Sequence, residues 1–374
     1  NGRRRQRPPM RAGGSRERVL ASAALLILAV TLFDTEEFFG KVTELRVALS
    51  PGEAWRTAPP APPVPEPSIE RDGVLGYYSS PEVTRKAAEE AGVRARAMSP
   101  EERRANPFVA VCLVGAARTM PIPRVFKSIR ENLTLALSRN TFVFAHIKLW
   151  DCGMKKQNFH GYFRPINVSQ NNITEAIRVI DPVSLIVETD RIDYLNPNCP
   201  LTLEYAKKSK QWGFMTGKET ERLIGNIGPT ADCYRGIERF EREANIKFDA
   251  VAKARPDAVW FLPSPSAREM IDRDAFTYLF DIFMFSPRKY AEGFALQYER
   301  YRDECNGTWT GGYFPEAVYW QGFKEVGAKV PEHYRKLPVA IRRFSKTEPS
   351  AEWQCHKTHA LPPAKCMEIV YGDT

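Results

Sequence analysis

The sequence predicts a single α/β domain of Rossmann-like layering on a mostly parallel central sheet, and three observations predict it. Apolar runs of strand length recur from Phe108 onward, separated by segments with helical periodicity. The first run, FVAVCLVG from Phe108 to Gly115, is apolar at nearly every position, as expected of a strand covered on both faces. Val125, Ile129, Leu133 and Leu137 then fall at steps of four residues on one helical face, after Pro121 and Pro123. Residues 106–374 suffice for one sizeable core, and no internal repeat divides them.

Before that domain the chain reads as a tether. Residues 1–18 form an arginine-rich tail, and Val19–Phe33 (VLASAALLILAVTLF) is an apolar stretch about 22 Å long as a helix. It is shorter than a hydrocarbon core of about 30 Å, which suits a thin early secretory membrane. The acids Asp34, Glu36 and Glu37 follow at once without a small-x-small cleavage site, so an uncleaved signal-anchor is expected rather than a cleaved leader. The basic flank places the tail in the cytoplasm and the rest in the lumen, a single-pass type II arrangement in the Golgi or endoplasmic reticulum. Residues 34–105 are expected to be a disordered stem, with an extended polyproline spacer at 58–68 and an exposed helix over 82–105.

Within the domain, strands are expected at Thr141–Leu149 and Val183–Glu188, and Cys233, Ile237, Phe240 and Ala244 mark an amphipathic helix. A strand follows over Asp249–Phe261, another over Phe276–Phe285, helices from Tyr290 and from Pro315, and a last strand at Val339–Phe344.

The net charge of +9 sits largely in the tail, so it orients the chain and carries no nucleic-acid signature. Four glycosylation sequons begin at Asn132, Asn167, Asn172 and Asn306, and agree with a lumenal domain. The seven cysteines suit an oxidising compartment, and without a C-x-x-C pair they do not suggest structural zinc. Cys112, inside the first strand, is expected to be a buried free thiol; the other six allow up to three bridges, Cys355 with Cys366 among them. His356 and His359 flank Cys355 without further ligands.

Ligands of open α/β sheets sit at the carboxyl ends of strands, so the first candidate is the turn Gly115-Ala-Ala-Arg118-Thr. There Gly115 would admit a close backbone approach and Arg118 would grip a diphosphate. The turn is neither a dinucleotide fingerprint nor a P-loop. The second candidate is Lys253-Ala-Arg255-Pro-Asp257: at a spacing of two, the three charges share one side of a strand and must meet water, each other or a ligand. Asp257 is the expected metal or nucleotide contact, with an Arg255–Asp257 ion pair as the alternative account. Asp281, opening an apolar strand closed by Arg288, is a second metal ligand or an acceptor-side base, and Glu316 in a first helical turn is a further carboxylate for an acceptor hydroxyl. His146 ends the second strand, either at the site or as a hydrogen-bonded core histidine.

Three segments, Val111–Thr119, Phe248–Asp257 and Asp281–Arg288, resemble a family of plant and algal proteins related to A-type glycosyltransferases, over roughly residues 107–345. The resemblance implies a domain of that type that binds a nucleotide-sugar and moves the sugar to a glycan or glycoprotein acceptor. It also implies a Mn2+ or Mg2+ ion on Asp257 and Asp281. The family shows an Arg-x-Asp element at Asp257 in place of a two-acid motif; one alternative is therefore that Arg118 and Lys253 supply the charge without a metal. The other readings are a lectin-like or scaffold protein on the same fold and, more distantly, a lumenal sulfotransferase, for which Gly115–Met120 offers no lysine-bearing phosphosulfate loop.

Overall fold

The computed structural model of the chain describes residues 81–150, 168–189, 219–305, 315–329 and 337–343, with short pieces near 70–75, 194–199, 332–333, 352–353 and 366. The basic tail, the apolar stretch 19–33 and the proline-rich spacer lie outside the described residues, as do His160, His356, His359, Cys152, Cys355 and the sequon asparagines 167 and 306. Among the described residues no helix is long and apolar enough to cross a membrane.

The central strands are β1 (Phe108–Ala116), β2 (Asn140–Lys148), β3 (Ser184–Glu188) and β4 (Ala250–Ala254). After β4 come β5 (Ala258–Trp260), β6 (Thr277–Leu279), β7 (Phe283–Pro287), β8 (Glu332–His333), β9 (Val339–Arg343) and β10 (Glu352–Trp353). Seven of them form one sheet in the order β8-β6-β7-β4-β1-β2-β3. β1 runs parallel to both β2 and β4, β2 parallel to β3, and β8 parallel to β6; only β7 runs antiparallel to its neighbours. The mostly parallel sheet is as the apolar runs predict.

Two of the expected strands break. Asp249–Phe261 divides at Arg255-Pro256-Asp257, because Pro256 has no N–H to give to a ladder. The chain then leaves the sheet, and β5 pairs antiparallel with β9 in a small sheet completed by β10. Phe276–Phe285 divides at Phe280–Ile282, where Phe280 takes φ +48° and the chain reverses from β6 into β7.

Alternate residues of β1, β2 and β4 feed two cores. Val109, Val111, Leu113, Val143, Ala145 and Ile147 pack against α3 (Pro123–Ser128) with its continuation to Leu137, and against α4 (Gln170–Ile180). That continuation includes a π-helical turn over Ile129–Thr134. A four-residue spacing drifts about 40° per step on an ordinary helix, and the widened turn keeps Val125, Ile129, Leu133 and Leu137 all buried on one side.

Phe108, Ala110, Cys112, Phe142 and Phe144 face the other way, against α5 (Glu219–Ala244) and α1 (Pro81–Ala97). The segment expected to be an exposed stem helix is α1 followed by α2 (Pro100–Ala105), and it is not detached: Ala88 and Ala91 are fully covered. Gly92 approaches α5 so closely that a Cβ there would lie 2.5 Å from the Ala244 carbonyl oxygen. The packed unit therefore reaches back from Asn106 to Pro81.

Cys112 is not a free thiol. Burying α5 on this face brings Cys233 opposite it, with Cα atoms 6.0 Å apart, and the two form a disulfide. A second disulfide joins Cys199 to Cys305, and Cys366 is bonded to a cysteine outside the described residues.

Candidate functional site

The chain builds outward from β1 to β2 and β3 on one side, then returns to lay β4 on the other side of β1. Connections therefore diverge at the carboxyl ends of β1 and β4, the place where open α/β sheets leave a crevice. The two leading sequence candidates meet there. Gly115 takes φ +142°, and a Cβ on it would stand 3.3 Å from Pro256 Cδ, so its missing side chain makes room for the neighbouring turn. Arg118, at φ +26°, turns its guanidinium to donate from NH1 to Asp257 Oδ2 at 2.9 Å, and the Thr119 hydroxyl donates to the Asp257 carbonyl at 3.0 Å.

Behind this contact is a buried ion network. Arg255 grips Asp257 with both arms of its fork, Nε to Oδ1 at 2.8 Å and NH2 to Oδ2 at 2.7 Å, and reaches Asp281 Oδ2 with NH1 at 2.9 Å. Lys253 Nζ donates to the Asp281 carbonyl at 2.9 Å. Burial opposes the charge of Arg255, and Asp257 and Asp281 more than offset it, holding the guanidinium above its ordinary value. The Lys253 amine is pushed down to about 8 by burial, with Asp281 pulling the other way. Lys253, Arg255 and Asp257 are sealed in, whereas the side chains of Arg118 and Asp281 remain 17% and 25% exposed. An inner layer thus holds two outer groups in place.

Glu316 joins from α6 (Pro315–Glu325). Its Oε2 is buried without a hydrogen-bond partner, and burial, then the nearby charge of Asp281, pushes its carboxyl up to about 7. The cluster has three cations against two carboxylates, with a third acid near its neutral point.

The expected metal pair, Asp257 with Asp281, does not fit a cation. Both oxygens of Asp257 already accept from guanidinium groups, as does Oδ2 of Asp281. Among the described residues no three of His, Cys, Asp and Glu gather as a metal set. Two residues apart beside a strand break, Arg255 and Asp257 turn to each other, which is the ion-pair account. Arg288 lies at the opposite end of β7 and grips Glu241 of α5 through Nε and NH2, each at 2.7 Å.

A second polar group at the same edge was only partly visible in the sequence, through His146. His146 and Lys148 of β2 lie beside Glu188 of β3, whose carboxylate meets His146 Nε2 and stands 3.5 Å from Lys148 Nζ. Burial alone would raise the Glu188 carboxyl, but His146 and Lys148 hold it below its usual range. Tyr194 closes the group, donating toward Glu188 Oε1 at 3.1 Å or Asp232 Oδ2 of α5 at 3.2 Å. One hydroxyl proton serves two carboxylates there, and burial correspondingly pushes the Asp232 carboxyl up. Lys148, two residues after His146 and so on the same face of a strand covered on both sides, was the signal that would have found it. A scan of protein-family models finds no match to this chain, and neither does a search of curated proteins.

Proposed function

We propose that the chain is a lumenal glycosyltransferase, of the A-type fold, that moves a sugar from a nucleotide-sugar donor to a glycan or glycoprotein acceptor. The observation that carries this reading is the cationic excess at the switch point, with the partly exposed Arg118 held by Asp257, and Glu316, near Asp281 and Lys253, raised to about 7. Arg118 meets the donor diphosphate, whose leaving oxygen gains negative charge as the glycosidic bond breaks. Lys253, Arg255 and Asp257 act from behind, fixing Arg118 and Asp281. Glu316 takes the proton of the acceptor hydroxyl, since a base works best with a pKa close to the ambient pH. The Mn2+ or Mg2+ ion expected on Asp257 and Asp281 has no role in this reading, because the oxygens it would need are held by arginines.

The lumenal placement draws support from the disulfides Cys112–Cys233 and Cys199–Cys305. It also sorts two sequons. Asn172 is exposed on the first turn of α4, whereas Asn132 donates its amide to the Trp260 carbonyl at 2.6 Å and Thr134 is buried. Peptide mapping of the chain made in a eukaryotic host is expected to find glycan on Asn172 and none on Asn132.

A second reading, a carbohydrate-binding protein that does no chemistry, is favoured by the saturation of Asp257. Incubating the full chain in detergent with a panel of nucleotide-sugars separates the two. Release of nucleotide from one donor, falling by about 100-fold or more in Glu316→Gln, is expected; no release from any donor leaves only the binding protein.

A further inference from the structure

Helix α5 carries a proline in its interior, Pro229. A proline has no N–H, so the carbonyl four residues earlier, that of Gly225, loses its helical partner. Lys148 supplies one: its Nζ donates to the Gly225 carbonyl at 2.8 Å. Lys148 arrives from the carboxyl end of β2, where the sheet, Glu188 at 3.5 Å and the rings of Trp150 and Tyr194 fix its course, with ring centroids 5.0 and 5.2 Å from Nζ.

The next turn of the helix touches the switch-point cluster. The Tyr319 hydroxyl bonds Thr230 Oγ1 at 2.8 Å and stands 3.3 Å from both the Asn226 carbonyl and Asn226 Oδ1. Lys253 Nζ lies 5.7 Å from the centre of the Tyr319 ring and donates to the Asp281 carbonyl. A continuous run of contacts thus leads from Lys148 through Gly225, Asn226, Thr230, Tyr319 and Lys253 to Asp281.

We propose that Lys148 is a positioning residue for the switch-point site: by filling the carbonyl that Pro229 vacates, it sets the path of the Asn226–Thr230 turn and so the placement of Tyr319 and Lys253. The proposal rests on that cluster being the working site, but it can fail or stand apart from any sugar chemistry. Lys148 acts on the cluster through the helix, by way of the Gly225 carbonyl and the Asn226–Thr230 turn.

The test is a double-mutant cycle in the full chain. Pro229→Ala restores an N–H for the Gly225 carbonyl and makes the lysine dispensable to the helix. The readout is the pH dependence of the Lys253 Cε resonance in the 13C-lysine-labelled chain, assigned through Lys253→Arg, which needs no access to the sealed amine and reports its local setting. In Lys148→Met the Lys253 titration is expected to move up from about 8 toward the ordinary lysine value as the covering turn loosens. Lys148→Arg is expected to restore it, and in the Pro229→Ala background the shift caused by Lys148→Met is expected to fall to less than about half. An unmoved Lys253 titration in Lys148→Met, or an equal shift in the parent and Pro229→Ala backgrounds, overturns the proposal. Lys148→Gln, which cannot reach the carbonyl, provides the same comparison if the methionine variant does not fold. A chain inactive toward every nucleotide-sugar leaves these results readable, since no donor takes part.

Discussion

The switch-point cluster and the β2–β3 cluster lie on the same edge and the same face of the sheet, yet they are finished differently. In the second, Lys148, His146 and Tyr194 converge on Glu188, and the raised carboxyl of Asp232 fits a shared proton, so the charges close on themselves. In the first, cations outnumber ionised acids, and Arg118 and Asp281 reach the surface; an orphaned buried atom does not separate the two, since Glu188 Oε2 and His146 Nδ1 lack a hydrogen bond as Glu316 Oε2 does. Burial of charge is common to both and marks neither as a site. Imbalance combined with partial exposure distinguishes the one proposed to work from the one that holds it in place.

The largest effect that would break this contrast belongs to the inner layer. Asp257→Ala leaves Arg255 buried without its bidentate partner and removes the Arg118 contact, and the expected loss of stability is about 3–5 kcal/mol in urea unfolding. A loss under about 1 kcal/mol would mean the network is not the support described.

A smaller effect, of opposite sign in the two clusters, appears on titration. Glu316 is raised in the folded state, so its contribution to stability is fully present below its unfolded value of 4.5 and is lost as pH rises through about 7. The loss is roughly 3 kcal/mol, and Glu316→Gln is expected to flatten it. Glu188 is lowered, so its contribution is present above its unfolded value of 4.5 and disappears as pH falls through the folded one. Stability curves of Glu316→Gln and Glu188→Gln that deviate from the parent on the same side of pH 4.5 would show that the clusters do not differ in this way.

Much of this architecture was legible because apolar patterning is local. β1, β2, β3, the α3 face and the second half of α5 follow from runs and four-residue steps, and the turns after β1 and β4, singled out separately in the sequence, meet in the fold. What was illegible depends on pairs distant in sequence or on the absence of a signal. Cys112 and Cys233 are 121 residues apart, and nothing in an apolar strand announces a bridge. Ala88 and Ala91 are too small to mark a buried face amid the charges of α1, so that helix read as exposed. Arg255 and Asp257 were read as a row that meets a ligand or as an ion pair, and only the break at Pro256, which lets them face each other, decides for the pair. Lys148 stayed unread because its partner is a carbonyl left open by a proline in another element.

The central claim is that Arg118, braced by Asp257, receives the diphosphate of a nucleotide donor at the switch point. Calorimetric titration of the parent chain and of Arg118→Met with a panel of nucleoside diphosphates, with and without Mn2+, tests it most directly. The account predicts binding of at least one diphosphate by the parent without added metal, weakened about tenfold or more in Arg118→Met, as expected for loss of a charge-assisted contact of roughly 1.5–3 kcal/mol. Equal affinity in the two proteins, or binding that appears only with Mn2+, would contradict it.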